Sequence, residues 1–376
     1  KELIDILNNK TNKSWDSSLL DSIQKQNDPE ATRASSGSAI NLIKDLLPNL
    51  IGGSADLTGS TNTEIKESNN FSIKNPTGRN IKFGVRHNYR CASMQSEVKI
   101  NDQSIAYTVQ GDGQPVLLLH GFPQTQAMWN TIAPLLSNEF TVVTADLRGY
   151  GASSKPENME EMSFRHMAAD QIGLMSHLGF ESFHLVGHDR GARTAYRLVL
   201  DKPNTVLSLT LMDIVPTHFL LNQLTHDVAR DYYHWFFLAQ TAPFPEKLIA
   251  HDPDAFFERC LAGWGGSMDG FDGIACAAYR QAWRDPDCIR SMCNDYRATI
   301  DIDYPLDALD LKHKVNTPAM VLYGSEGVMA KAYDVSSTWV GLLRNMQCFP
   351  IPGGHFFPDT APKKTAQALK KFLKSI

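Results

Sequence analysis

Residues 183–193 read F-H-L-V-G-H-D-R-G-A-R, an apolar run that passes through a glycine-bracketed aspartate straight into a helical pattern. A chain turns that sharply from strand to helix only where side chains leave room, and Gly187 and Gly191 leave it. Strand and helix are then neighbours, so the strand is buried and belongs inside a covered sheet. The pattern around it agrees. Strands are expected at 104–109, 115–119, 141–145, 183–186 and 207–212, with helices between the later ones. Such alternation implies an α/β fold with a mainly parallel sheet covered on both faces. The helix at 163–178 is the best marked: Phe164, Met167, Ala168, Ile172, Met175 and Leu178 share a stripe, Ser163 stands at the cap and Gly179 at the stop. After Pro216 the pattern is helical and aromatic, from Phe219 to about Tyr296; strands then return at 319–323 and 346–350, and a helix at 364–376 closes the chain. A helical insertion between strands of one sheet reads as a cap, here about 216–300.

At 376 residues the chain exceeds what one core organises, and ~100–200 residues per domain predicts two or three. The composition changes near Arg90: the stretch before it is rich in Asn, Ser, Lys and Thr. It holds one helical pattern at 30–47, with Ile40, Ile43, Leu46 and Leu47 in register, then Leu50-Ile51 as a short strand ending in a Gly52-Gly53 turn. Residues 1–90 therefore bury little surface, whereas 97–376 carry the sheet and its cap. Thirty-six basic against forty-one acidic residues give a charge of -5 with no basic block, which argues against nucleic acid as a partner. The longest apolar run, near 115–119, falls far short of the ~20 residues that span a bilayer, so no membrane partner is expected. Six cysteines without a paired spacing point to neither zinc nor a disulfide framework, and a reducing, cytoplasmic compartment is expected. Nothing near Lys1 has the pattern of a signal peptide, and because the chain begins at Lys rather than Met a removed leader stays open. A homodimer is a possible assembly.

The aspartate of Gly187-His188-Asp189-Arg190-Gly191 stands where the G-x-S-x-G elbow of the α/β-hydrolases, which the pattern resembles, holds its serine. The bland alternative is a helix N-cap. Its surroundings favour the elbow. His120-Gly121-Phe122-Pro123 follows a strand as an oxyanion loop does, Asp213 follows a later strand, and His355 lies in a glycine-led loop, so nucleophile, acid and histidine come in hydrolase order. Glu326, after the strand at 319–323, is the rival for the acid. A carboxylate attacking a saturated carbon displaces a leaving group and forms an alkyl ester that water then cleaves. His355 would activate that water, Asp213 would orient the imidazole, and backbone N–H groups of Phe122 and Arg190 would hold the oxyanion. Dehalogenation and epoxide opening are the two reactions of this kind, and neither asks for a metal or an organic cofactor.

Arg190 and Arg193 lie three apart at the start of the elbow helix, hence on one face beside Asp189. A guanidinium pair at a helix N-terminus suits a small carboxylate substrate; the alternative is that Arg193 pairs with a structural acid. Donors for a departing halide are offered by His234, Trp235 and Tyr296 of the cap, each of which read alone is cap core.

H-G-F-P-Q-T at 120–125, G-H-D-R-G-A-R at 187–193, Y-H-W at 233–235, F-L-A-Q at 237–240, M-C-N-D-Y-R-A at 292–298 and G-H-F at 354–356 resemble the fluoroacetate (haloacetate) dehalogenases across about 97–376. The resemblance implies Asp189 as nucleophile, His355 as base, Asp213 as its partner, Arg190 and Arg193 as carboxylate clamp, His234, Trp235 and Tyr296 as halide cradle, and Phe122 as pocket wall. Epoxide-opening relatives usually carry an apolar residue at the place of Arg190. Asn294 and Glu326 depart from the pattern and receive no role. Further upstream, A-T-R-A-S at 31–35, L-P-N-L-I-G-G-S-A-D-L-T-G-S at 47–60 and G-R-N-I-K-F-G-V-R at 78–86 resemble the middle of transketolase, over about 10–86. That likeness implies Arg33 and Ser60 as sugar-phosphate holders and Asp56 near thiamine diphosphate; His87 replaces the family's glutamate, and Gly111-Asp112-Gly113 reads as a turn rather than its metal motif. A slice of this size does not assemble a thiamine site, so it reads as a remnant. A hydrolase-fold binding protein without turnover is the reading from another functional class.

Overall fold

The computed structural model describes residues 95–263 and 267–376, together with 38–41, 44, 52–55, 65–68 and 80–83. The chain divides into two compact units, Lys1–Cys91 and Ala92–Ile376. In the first, β1 (Gly52–Ala55) pairs in parallel with β2 (Asn80–Phe83), Gly52 opposite Asn80. Gly52 and Gly53 thus lie inside a strand, not in the turn expected after one. The pairing that holds them extended comes from a partner distant in sequence, which local pattern does not reveal. Asn80 is buried; its carboxamide accepts from the Ile65 N–H at 2.8 Å and donates to the Ile65 and Ser68 carbonyls at 2.9 Å. Of the helix expected at 30–47, residues 38–41 are described and helical, while Lys44 lies in a turn. Arg33, Asp56, Ser60 and His87, on which the transketolase resemblance rests, lie outside the described residues.

The second unit carries one eight-stranded sheet: β3 (Ser96–Ile100), β4 (Gln103–Gln110), β5 (Gln114–Leu119), β6 (Phe140–Ala145), β7 (Phe183–His188), β8 (Val206–Met212), β9 (Ala319–Gly324) and β10 (Met346–Ile351). Their order across the sheet is β10-β9-β8-β7-β5-β6-β4-β3. From β6 to β10 all neighbours are parallel, while β3 and β4 run antiparallel at one edge. β3 escaped the sequence reading because an exposed edge strand needs no apolar run; S-E-V-K-I is at best half buried. The turn joining it to β4 has Asn101 and Asp102 at φ 49° and 62°, the left-handed pair that a two-residue hairpin requires. The central strands β6 and β7 are buried throughout, consistent with helices on both faces.

Helix α1 (Phe164–His177) spans the predicted stripe, and Gly179 ends it at φ 84°. Ser163 stands at its N-terminus, but its hydroxyl pairs with His166 Nδ1 at 2.8 Å, and the open Phe164 N–H goes to the Asp303 carboxylate at 3.1 Å. A tertiary partner has taken the capping role. Helix α2 (Arg190–Asp201) follows β7 without a linker. The helical insertion begins at Thr217 and includes α3 (Tyr233–Leu238), α4 (Gly273–Trp283) and α5 (Pro286–Ala298), and α6 (Pro362–Leu373) closes the fold two residues earlier than expected, at a proline suited to a first helical turn. Among the described residues no helix is long and apolar enough to cross a membrane.

Candidate active site

β5, β7, β8 and β10 release their chains at one end of the sheet, where β5 lies between β6 and β7 although β6 follows it in sequence. Such crossover points at the carboxyl ends of strands form crevices. Phe122, Asp189, Asp213 and His355 all leave the sheet there.

The elbow is tight. A Cβ on Gly187 would sit 2.3 Å from the Gly191 carbonyl oxygen, and one on Gly191 2.4 Å from that of His120, so neither position accepts a larger residue. Between them Asp189 has φ 47° and ψ -113°, a conformation that costs about 1–3 kcal/mol and that tertiary packing must hold. Its side chain makes no capping bond to α2, which removes the N-cap alternative. Instead Oδ1 accepts the Phe122 N–H at 3.1 Å, and Oδ2 lies 3.7 Å from His355 Nε2. On the far side of the ring His355 Nδ1 donates to Asp213 Oδ2 at 2.7 Å, and Asp213 Oδ1 accepts the Gly324 N–H at 2.7 Å. Asp213 therefore engages the imidazole; Glu326 is exposed. Burial pushes the Asp189 carboxyl up, but attraction from His355, Arg190, His188 and Arg193 overrides it and holds the group down at about 2. It is a carboxylate throughout the neutral range, as a nucleophile must be.

Arg190 and Arg193 of α2 are buried beside this carboxylate, though not as the free fork that spacing suggests. Arg190 gives its Nε to Asp295 Oδ2 at 2.9 Å and its Nη2 to Asp295 Oδ1 and Thr299 Oγ1. Tyr150 donates to the same Asp295 carboxylate at 2.5 Å, and the guanidinium carbon sits 4.6 Å and 4.3 Å from the Phe164 and Tyr296 ring centres. Among the described residues, only its Nη1 is left without a partner. Arg193 gives Nη1 to the Val215 carbonyl at 3.1 Å and to Thr217 Oγ1 at 2.9 Å, and its Nε is buried and unpartnered. The structural-acid alternative for Arg193 finds no acid on it among the described residues. Burial, then repulsion from Arg190, pulls its guanidinium down to about 10, which leaves it charged at neutral pH.

The cap completes the enclosure. Tyr296 of α5 lies edge-on to the Phe122, His234 and Trp235 rings at 5.1, 5.5 and 5.6 Å, and Arg193 lies 4.8 Å from the Trp235 ring centre. Trp235 Nε1 and Tyr296 Oη are buried donors without a partner among the described residues. Burial, aided by the Asp189 charge, holds the Tyr296 hydroxyl well above its ordinary value, and burial holds His234 well below its own. Both are neutral at pH 7. Phe122, Asp189, Arg190, Arg193, Asp213, His234, Trp235, Tyr296 and His355 are thus brought together, and the rival Glu326 is not. The sequence reading missed Asp295, although it sits one position before Tyr296; an acid at a buried helix position, next to a residue already singled out, was the signal.

An aspartate on a glycine elbow, a histidine–aspartate pair at later strand ends and an inserted helical cap define an α/β-hydrolase with a carboxylate in place of the usual hydroxyl. The family of the alpha/beta hydrolase fold matches residues 114–362, and the chain belongs to it. Over 280 residues it is 51% identical to fluoroacetate dehalogenase from Burkholderia sp, covering 73% of this chain and 92% of that protein. It is 29% identical over 283 residues to soluble epoxide hydrolase from Corynebacterium sp., covering 74% and 96%. A solved alpha/beta hydrolase from Nostoc sp PCC 7120 superposes with a TM-score of 0.74 at 44% identity, covering 75% of this chain and 98% of that one.

Proposed function

We propose that the protein hydrolyses short 2-haloacids, of which fluoroacetate is the smallest fluorinated case, to the 2-hydroxy acid and halide through an ester on Asp189. The observation that carries this reading is a set of four buried donors without partners among the described residues around one carboxylate: Arg190 Nη1, Arg193 Nε, Trp235 Nε1 and Tyr296 Oη. Unpaired buried donors are costly, and a site that keeps four of them is built to receive anionic oxygen and halide. The two guanidinium donors take the substrate carboxylate, one from each arginine. Asp189 then attacks the carbon bearing the halogen, the carbon–halogen bond breaks, and its electron pair leaves with the halide toward Trp235, Tyr296 and His234. In the second step His355 takes a proton from water, and the hydroxide adds to the ester carbonyl of Asp189 while the Phe122 N–H, 3.1 Å from Oδ1, steadies the oxyanion. Asp213 keeps the imidazole oriented and balances its charge. Collapse returns the Asp189 carboxylate and releases the hydroxy acid, with one proton and one halide formed per turnover. The high identity to a fluoroacetate dehalogenase supports the same reading.

Epoxide opening is the rival, because an epoxide hydrolase is also among the relatives and Tyr296 is a protonated hydroxyl near Asp189. An epoxide, however, offers no charge to Arg193, which no acid pairs among the described residues, and no anionic acceptor to Arg190 Nη1. Purified protein with fluoroacetate at a fluoride electrode, with chloroacetate followed by ion chromatography, tests the proposal. Turnover of a styrene-type epoxide with no halide from any haloacid would reverse it, and a loss of all turnover would favour a binding protein.

A further inference from the structure

Asp359 lies four residues beyond His355, in the short helix Phe357–Thr360 that follows the histidine loop, buried, and takes no part in the reaction described above. Its Oδ1 accepts the hydroxyl of Tyr279, on cap helix α4, at 3.0 Å, and its Oδ2 accepts Gln124 Nε2. Gln124 is two residues past Phe122, and its backbone N–H bonds the Gly121 carbonyl at 3.0 Å, so it belongs to the loop that presents an N–H to Asp189. One carboxylate therefore joins three parts that must register for the reaction: the cap, the oxyanion loop and the histidine loop. We infer that Asp359 is a positioning residue for this site, clasping the cap and the Phe122 loop against the His355 loop, and that ester formation is fastest while the clasp is ionised. The inference rests on Asp189 as the nucleophile.

The surroundings make the clasp sensitive to protons. Burial lifts the Asp359 carboxyl, the Tyr279 and Gln124 hydrogen bonds offset part of that, and it settles at about 7. From α4 it faces Tyr279, Cys276 and the negative Asp272. From the other loop it faces uncharged Gln124, the Gln126–Trp129 turn brings no titratable group, and Lys363 and Lys364 of α6 are exposed. Once protonated, Asp359 loses its charge-assisted bonds, which are roughly twice as strong as neutral ones. Its new O–H needs an acceptor. Gln124 Oε1, buried and without a partner among the described residues, is that acceptor once the amide turns over. The neutral form stays bonded but with the Gln124 amide reversed and the weaker bond of a neutral pair, so the Phe122 loop is held less firmly.

The test isolates ester formation from the His355 step. In a His355→Ala background, chloroacetate is mixed with the full chain and the growth of the Asp189 ester is followed by mass spectrometry across pH. The rate is expected to fall by about tenfold or more as pH drops through about 7, geometry losses of this kind reaching 10²-fold. Adding Asp359→Asn is expected to lower the rate at high pH to that acid plateau and to abolish the pH dependence. Tyr279→Phe, which removes one hydrogen bond that lowers the Asp359 value, is expected to move the fall to higher pH, and serves if Asp359→Asn does not fold. An identical pH profile with and without Asp359, or one unmoved by Tyr279→Phe, overturns the inference. Absence of any ester on Asp189 instead overturns the nucleophile reading beneath it.

Discussion

Tyr296→Phe separates a donor that serves a leaving group from a tyrosine that serves the core. The hydroxyl is buried and has no partner among the described residues, so its removal breaks no hydrogen bond among them, and the ring contacts to Phe122, His234 and Trp235 remain. Stability should hold or rise, by up to about 1–3 kcal/mol, because an unpaired buried hydroxyl is itself costly. A structurally bonded tyrosine hydroxyl would instead cost ~1–3 kcal/mol on removal, a fall of roughly 2 °C or more in Tm for a unit of this size. Activity should behave in the opposite way. Losing one preorganised donor to developing charge costs ~2.7–4 kcal/mol, or about 10²–10³ in kcat. Because Trp235 Nε1 still faces the site, the lower end, about 10², is expected. Fluoride, the stronger hydrogen-bond acceptor, should suffer more than chloride. Burial keeps the hydroxyl protonated, so the loss should be the same between about pH 6 and 9. Halide release on fluoroacetate and chloroacetate, beside a thermal melt, gives both readings. A variant with lowered Tm and undiminished kcat would refute the reasoning.

Three further outcomes follow from the same geometry. His355→Ala should trap the Asp189 ester, seen as a stoichiometric carboxymethyl adduct after a single burst of halide, whereas steady turnover without an adduct would count against the two-step scheme. Arg193→Met should raise KM for haloacids by about 10–100-fold, the worth of ~1.5–3 kcal/mol for a charge-assisted bond, and should spare a neutral haloacetamide; equal effects on both would sink the carboxylate role. For Asp189, held at about 2 against an ordinary 3.8, the ionised form is favoured by folding. That contribution is present in full above about pH 4 and is lost as pH falls through about 2, so the stability advantage of the native chain over Asp189→Asn should shrink by about 2 kcal/mol across that window, as read from Tm against pH.

Much of the site was legible because its chemistry is punctuated by local signals. Gly187 and Gly191 bracket Asp189 in sequence, and the order Asp189, Asp213, His355 survives any detail of packing. The choice of Asp213 over Glu326 was not legible with the same force: both follow strands, and only the 2.7 Å contact to His355 Nδ1 decides between them. Strand β3 was silent for another reason, since an edge strand facing solvent carries no apolar periodicity. The expected cap on α1 failed because Asp303, remote in sequence, reaches the Phe164 N–H that Ser163 leaves open.

The linear chain by itself determined most strands and helices of the larger unit, the edge strand β3 excepted, and that a carboxylate rides on the turn between two of them, because apolar periodicity and glycine placement act over a few residues. Folding in three dimensions decided how charge is shared. Asp295 takes the fork of Arg190 and leaves Nη1 without a partner among the described residues, and Asp359 gathers Gln124 and Tyr279 from two distant elements. Hydrogen bonds and ion pairs act over about 3 Å, and no spacing along a chain foretells which groups meet across a hundred residues or more.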